Sequence, residues 1–360
     1  MKVKLFTHTD LDGVGCAILA KMAFGDDVDI EYCNYDNVNE KVWDFIGVGA
    51  DEEYDFTYIT DISVCGMLAS RIDIKYDGDP DVRLFDHHKT AEYLNAFDWC
   101  FVSEYIHAVE LIDKEHIKTC GTELFFRHLI EAGHIHTSRA MDKFVEVVRD
   151  YDTWRWKSLP TYEGRYIKEF NDLLYILGRD EFIERAVKRL KGYKYPTQPD
   201  KKDRELLDRR QDEIDSYVDK KAKELQVRYV NEFAEEDPKK YGIVFADRFV
   251  SELGNRLCET FNGLDYVAIV DPGSRKVSLR SIKEDVDVGV IAKEHGGGGH
   301  KSAAGYYFEW EMQTIMIDAA MGFIEFGVEI EEEDCETTEE ITENLKKGFF
   351  DKFRKKKGVK

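Results

Sequence analysis

The chain has 360 residues, of which 43% are hydrophobic, 13% aromatic and 34% charged; that is material for about two packed domains and excludes global disorder. Lys and Arg number 51 against 73 Asp and Glu, a formal net charge of −22. Such a surface repels a long polyanion, which excludes a general duplex-coating role but leaves room for a short nucleic acid or nucleotide in a local pocket.

In chain order, residues 2–8 form a β-rich run, 13–24 an amphipathic helix with small residues at its start, and 28–33 and 54–60 two further strands. A short apolar run, 82–85, precedes Asp86-His87-His88, and helical stretches follow near 121–132 and 138–149. This alternation predicts an α/β fold, a parallel sheet with helices on both faces. Pro196 and Pro199 stand before the charge-dense stretch 201–225, which reads as a connecting helix. A second, smaller α/β domain is expected from strand 241–246, helix 249–261, strands 265–270 and 276–282, helix 286–294, a glycine run and strand 306–310. The acidic 329–340 and basic 346–360 segments predict a final charged helix and tail. The expected organisation is 1–198, a helical linker 199–236, a second domain 237–325 and a charged end 326–360. No uncharged apolar run reaches the roughly 20 residues of a membrane span. The first residues lack a signal-peptide pattern. The seven cysteines are scattered with no C-x-x-C pair, which suits buried residues in a reducing compartment. A cytoplasmic protein with no membrane partner is therefore expected.

Chemistry concentrates at strand ends. Asp10 and Asp12 follow the first strand, Asp61 follows the strand ending at Thr60, and Asp86 follows 82–85. Ligands of open α/β sheets bind outside the carboxyl ends of strands, so these carboxylates should converge on one edge. Converging carboxylates repel unless a cation compensates. Carboxylates with imidazoles and no cysteine suit Mn²⁺ or Mg²⁺ better than a structural zinc. Each aspartate alone would be an ordinary turn or cap residue; several at strand ends, one joined to paired histidines, are harder to read that way. The four glycines 296–299 let backbone approach a ligand and expose N–H donors to phosphate. His300 and Arg280 could then grip an anionic end or stack on a base.

The motifs His8-Thr9-Asp10-Leu11-Asp12-Gly13, Asp61, Asp86-His87-His88-Lys89-Thr90 and Arg149-Asp150-Tyr151-Asp152-Thr153-Trp154 resemble the four ordered motifs of the DHH phosphoesterase superfamily. The run Gly296-Gly297-Gly298-Gly299-His300 through Gly305 is similar to the glycine-rich signature of its associated C-terminal domain, with Arg280-Ser281 where that domain places a substrate-binding arginine. The resemblance covers essentially residues 1–310. It implies a two-metal phosphoesterase, usually using Mn²⁺, with Mg²⁺ or Co²⁺ as alternatives. Asp10 would bind one ion, Asp12 the other, and Asp61 both; His87 and a fourth-motif aspartate would complete the set, with His88 near the scissile phosphate. Asp86 is either a ligand or the partner that orients His87. His8 lies two residues before Asp10 and is either a ligand or a strand-end residue. Of Asp150 and Asp152, Asp150 is favoured because it follows the apolar run 144–148. Ser281, Gly297, Gly298, Gly299, His300 and Arg280 would bind substrate.

The resemblance points to the oligoribonuclease branch, which takes nucleotides from very short RNA. Cyclic mono- or dinucleotides and 3′-phosphoadenosine 5′-phosphate are alternative substrates. A RecJ-like single-strand exonuclease would want a basic channel, which a charge of −22 disfavours. A non-catalytic nucleotide sensor would be favoured by missing motif residues, and none is missing. The sequence leaves monomer and homodimer equally open.

Overall fold

The computed structural model describes residues 1–47, 49–76, 81–106, 117–230 and 239–323. The chain divides into two compact units, residues 1–208 and 209–360.

The first unit is built on β1 (Val3–Thr7), β2 (Val28–Tyr32), β3 (Phe56–Thr60), β4 (Val82–Asp86) and β5 (Cys100–Val102). All neighbours are parallel, in the order β2-β1-β3-β4-β5. The strands are apolar on both faces because both faces are covered. Val3, Leu5, Tyr58 and Phe85 point into one core, shared with α1 (Leu11–Phe24), α4 (Gly121–Glu131), α5 (Arg139–Asp152), α6 (Thr161–Leu177) and α7 (Arg179–Lys191). Phe6, Ile59 and Leu84 point into the other, shared with α2 (Val38–Gly47) and α3 (Gly66–Lys75). Each fully buried Leu or Phe contributes about 1.5–3 kcal/mol of transfer free energy. The expected amphipathic first helix is instead buried all round from Leu11 to Ala20, since helices pack on its outer side as well as the sheet on its inner side. From β1 the chain first steps to β2, then crosses to β3 on the other side of β1. The carboxyl ends of β1 and β3 therefore flank a topological switch point, where open α/β sheets bind ligands. A two-stranded antiparallel pair, β6 (Tyr105–Ile106) with β7 (Ile117–Lys118), leads into α4.

The second unit carries a six-stranded sheet in the order β12-β13-β11-β10-β9-β8. Its strands are β8 (Gln226–Val230), β9 (Lys239–Phe245), β10 (Tyr266–Asp271), β11 (Lys276–Arg280), β12 (Gly298–His300) and β13 (Ala303–Tyr307). Only β9 and β10 pair in parallel. The helix α8 (Lys201–Lys223) sets Ile214, Val218 and Ala222 against Val227, Val244, Leu253 and Leu257, the last two from α9 (Val250–Thr260). The opposite face is covered by α10 (Val288–Glu294). The expected strand at 306–310 lies earlier, because Trp310 already begins α11 (Trp310–Ala320). The glycine run contributes strand β12, hydrogen-bonded to β13. The segments 329–340 and 346–360 lie outside the described residues. Among the described residues, no helix is long and apolar enough to cross a membrane.

Candidate metal centre

Three strand ends and two helices of the first unit supply the cluster. Beyond β1, Asp10 caps α1 by accepting from the Gly13 N–H at 3.1 Å, and its other oxygen lies 3.0 Å from His8 Nδ1. Gly13 is required here: a Cβ would lie 2.2 Å from the His8 carbonyl oxygen. Asp12, in the first turn of α1, is buried. Its carboxylate accepts from the N–H groups of Gly121 and Thr122 at 2.6 and 2.8 Å, and the Thr122 hydroxyl donates to its carbonyl at 2.7 Å. Cys120 gives α4 no side-chain cap, so Asp12 caps it from another element, where the helix dipole favours an anion.

Asp61, just past β3, is buried and left-handed, with φ 57°; aspartate tolerates this region better than most residues. Its Oδ1 lies 3.3 Å from His87 Nε2 and its Oδ2 3.8 Å from His8 Nδ1. His87 Nε2 is also 3.7 Å from Asp12 Oδ2 and 3.5 Å from Asp152 Oδ2. Three overlapping groups result, Asp61–Asp86–His87–His88, His8–Asp10–Asp61 and Asp12–His87–Asp152, and within each the candidate ligand atoms lie within 4.8 Å of one another. One oxygen of Asp61 faces His8 and the other faces His87.

The electrostatics suit a bound cation. Burial, then the charges of Asp12 and Asp10, pushes Asp61 well above the usual carboxylate range. The same causes push Asp152 up to about 8. Burial lowers His87, with the neighbouring acids opposing it only partly, so its imidazole is neutral and able to ligate. His8 is raised by its hydrogen bond to Asp10. Asp61 Oδ2 and His87 Nε2 are buried without a hydrogen-bond partner. Native proteins rarely leave such atoms orphaned unless an ion or water completes them. The donor set, carboxylate oxygens and imidazole nitrogens, fits one or two hard or borderline divalent ions.

Asp86 stands apart. Its Oδ1 accepts from the backbone N–H of His87 at 2.7 Å and bonds His88 Nδ1 at 2.7 Å, and its Oδ2 accepts from the Ser63 hydroxyl. The imidazole it orients is thus that of His88, not that of His87 as the sequence reading allowed. Burial would raise Asp86, but His88 and Ser63 hold it below the usual range.

The preference for Asp150 over Asp152 is corrected. Arg155 Nη1 donates to both Asp150 oxygens at 2.9 Å, and Arg149 donates to Oδ1 at 3.3 Å. Asp150 is buried in that ion pair, whereas Asp152 turns to His87.

In the second unit, Ser281 is buried, donating its hydroxyl to the Asp265 carbonyl at 2.7 Å and accepting from the Lys283 N–H at 3.1 Å. That hydroxyl serves a turn, its proton already committed to the Asp265 carbonyl. Arg280 lies along α9, its Nη2 donating to Ser251 at 3.1 Å, and Gly254 leaves room for it, since a Cβ there would meet its Cγ at 2.6 Å. Gly297 and Gly299 pack against β13 backbone, where a Cβ would come 2.2 Å from the Gly305 oxygen or 2.5 Å from Ala304 Cα. Gly298 has open space in its Cβ direction, and His300 is exposed. Two features of the first unit went unread in the sequence: the amide groups of Gly121 and Thr122 that hold Asp12, and Tyr35, whose hydroxyl is 3.0 Å from His88 Nε2.

Residues 244–325 match the DHHA1 domain family. The chain belongs to the DHH phosphoesterase superfamily, a class of phosphodiester hydrolases. Among curated proteins it is similar to oligoribonuclease NrnB of Bacillus subtilis (strain 168), 38% identical over 317 residues, which span 88% of this chain and 75% of that protein. A second relative, the uncharacterized protein R106 of Acanthamoeba polyphaga mimivirus, is 44% identical over 64 residues, 17% of this chain and 15% of its own. Among solved structures, a DHH domain described as a member of a family of ribosomal proteins aligns with a TM-score of 0.52 at 13% identity, covering 91% of this chain and 87% of that one. That likeness supports the fold.

Proposed function

We propose that this protein is a two-metal phosphodiesterase that removes nucleotides from short oligoribonucleotides. One observation carries the reading: Asp61 directs one carboxylate oxygen toward each of two ligand groups, on a fold shared with an oligoribonuclease relative. In this reading His8, Asp10 and Asp61 hold one ion, and Asp12, Asp61, His87 and Asp152 hold the other. Mn²⁺ is the preferred ion, with Mg²⁺ or Co²⁺ as substitutes. Such a pair supplies Lewis-acid stabilisation of charge on the attacking and leaving oxygens of a phosphoryl displacement.

The chain's own residues do the rest. Asp86 fixes the ring of His88, which belongs beside the scissile phosphate. Asp150 takes no part in ligation; with Arg149 and Arg155 it anchors the last turn of α5, from which Asp152 projects. In the second unit, Arg280 and His300 recognise the nucleotide, and the open side of Gly298 lets a ligand approach the backbone. The net charge of −22 makes each nucleotide beyond the bound ones unfavourable, a repulsion that salt screens.

The test is a substrate panel on the full chain with and without Mn²⁺: di- to pentaribonucleotides, a 20-mer, 3′-phosphoadenosine 5′-phosphate and a cyclic dinucleotide. Mn²⁺-dependent cleavage should be fastest on the short oligoribonucleotides, and added salt should narrow their advantage over the 20-mer. Digestion of the 20-mer at the same rate, weakening steeply with salt, would refute the short-substrate reading.

A further inference from the structure

We propose that Tyr35 is the platform on which a nucleobase stacks at this centre. This rests on the phosphodiesterase reading and adds to it a binding element for the base. Tyr35 lies just past the carboxyl end of β2, in the loop Asn34-Tyr35-Asp36-Asn37. That loop is pinned by hydrogen bonds from the Asn34 N–H to Asn37 at 2.8 Å and from the Thr9 hydroxyl to Asn34 at 3.3 Å. The residue is 60% exposed, yet its ring is not loose. Its hydroxyl is 3.0 Å from His88 Nε2. Its ring centroid lies 5.9 Å from that of His88, edge to face at 89°, and 5.2 Å from that of His8.

The hydrogen-bond directions follow from the donor inventory. A carboxylate only accepts, so His88 donates Nδ1–H to Asp86, 2.7 Å away. Nε2 then shares a hydrogen bond with the Tyr35 hydroxyl, accepting its proton in the neutral ring and donating to its oxygen in the protonated ring. The chain Asp86–His88–Tyr35 holds the phenol by its tip, while much of the ring remains open to solvent beside the acidic cluster.

An exposed aromatic normally loses side-chain entropy when held in one place. Here that loss is offset by a hydrogen bond to a residue assigned to the phosphate. A planar apolar surface fixed at that distance suits a partner that is itself planar and linked to phosphate, which is a nucleobase. Stacking of this kind tolerates all bases, because each has a π-face. The prediction is therefore affinity for the base without strong preference among bases.

The experiment measures equilibrium binding of adenosine 5′-monophosphate and of ribose 5-phosphate to the full chain in the presence of Mn²⁺. The wild type should bind the nucleotide at least about tenfold more tightly than the sugar phosphate. Tyr35→Leu should bring the two within about twofold while leaving ribose 5-phosphate affinity unchanged. Tyr35→Phe, which keeps the ring, should retain most of the preference. Tyr35→Leu keeping the full preference would overturn the proposal. So would an equal loss on both ligands, which would make Tyr35 a mere prop for His88, and so would a wild type that does not discriminate. Turnover of a diribonucleotide by the wild type is measured alongside: its absence would refute the phosphodiesterase reading, whereas the binding difference tests Tyr35 by itself.

Discussion

Replacing Asp152 with Asn should make the metal-free protein more stable and weaken its response to Mn²⁺ at one of the two ion positions. The carboxyl is pushed from an ordinary value of 3.8 up to about 8 by burial and by the charges of Asp12 and Asp10. A carboxyl whose folded pKa is raised costs nothing below pH 3.8. Its penalty grows as pH rises toward 8 and is constant above. At pH 7 the penalty spans roughly three pH units at about 1.4 kcal/mol each, or roughly 4 kcal/mol. For a unit of this size 1 kcal/mol moves the midpoint by about 2–4 °C, so the gain could reach roughly 8–15 °C. Relaxation around the charge will reduce it. The assay is thermal unfolding from pH 5 to 8, with and without Mn²⁺. Without metal, the gap between Asp152→Asn and wild type should widen as pH rises. With Mn²⁺, the wild type should recover most of the difference, and the variant, which keeps His8, Asp10 and Asp61, should gain less. A variant that melts with the wild type at every pH, and gains as much from Mn²⁺, would refute the placement of Asp152 among opposed charges.

Four further outcomes can be checked. Asp61→Ala should abolish turnover and weaken binding of both ions in titration calorimetry, whereas Cys65→Ala, at an exposed thiol, should leave kcat within about twofold. Because Asp61 and Asp152 are raised, at pH 7 Mn²⁺ must displace protons; calorimetry in buffers of different ionisation enthalpy should give roughly one to two protons released per chain, and Mn²⁺ affinity should fall as pH drops below about 8. Asp150→Asn should lower the unfolding midpoint, costing about 1–3 kcal/mol for the lost ion pair, yet reduce Mn²⁺ affinity far less than Asp152→Asn does. Arg280→Ala and His300→Ala should lower kcat/KM on a diribonucleotide by at least about tenfold and on a small artificial phosphodiester by less than about threefold; equal losses on both would move these residues from recognition into the chemistry.

The parallel sheet was legible because its strands are short apolar runs followed at once by aspartates, and strand ends on one sheet edge are neighbours in space whatever their separation in sequence. His8, Asp10, Asp12, Asp61 and His87 gather for that reason. The choice between Asp150 and Asp152 was not legible by the same logic. Both lie on α5, where two residues are roughly 200° apart around the axis and face opposite ways. The deciding fact is the guanidinium of Arg155 on Asp150, a contact set by how the chain turns after the helix. The glycine run was less legible because glycine has two uses. At Gly297 and Gly299 a neighbouring strand needs the space, while Gly296 and Gly298 have open space in the Cβ direction. Tyr35 carries no pattern at all; an exposed aromatic in a polar loop declares itself only when its hydroxyl is seen on His88.

The capping of α4 by Asp12 has an evolutionary consequence. This aspartate answers to two masters, the ion cluster and the amide groups that start a helix on the far side of the sheet's switch point. A lineage that abandoned hydrolysis could shed Asp152 and be relieved of a buried carboxyl, or shed His87. It could not shed Asp12 without freeing two buried N–H donors and loosening the helix behind them. Sequence surveys of inactive descendants should therefore find this one acidic position outliving its chemistry. Its presence in a related chain is accordingly weak testimony that the chain still cleaves anything, and the state of Asp61, His87 and Asp152 is the better witness.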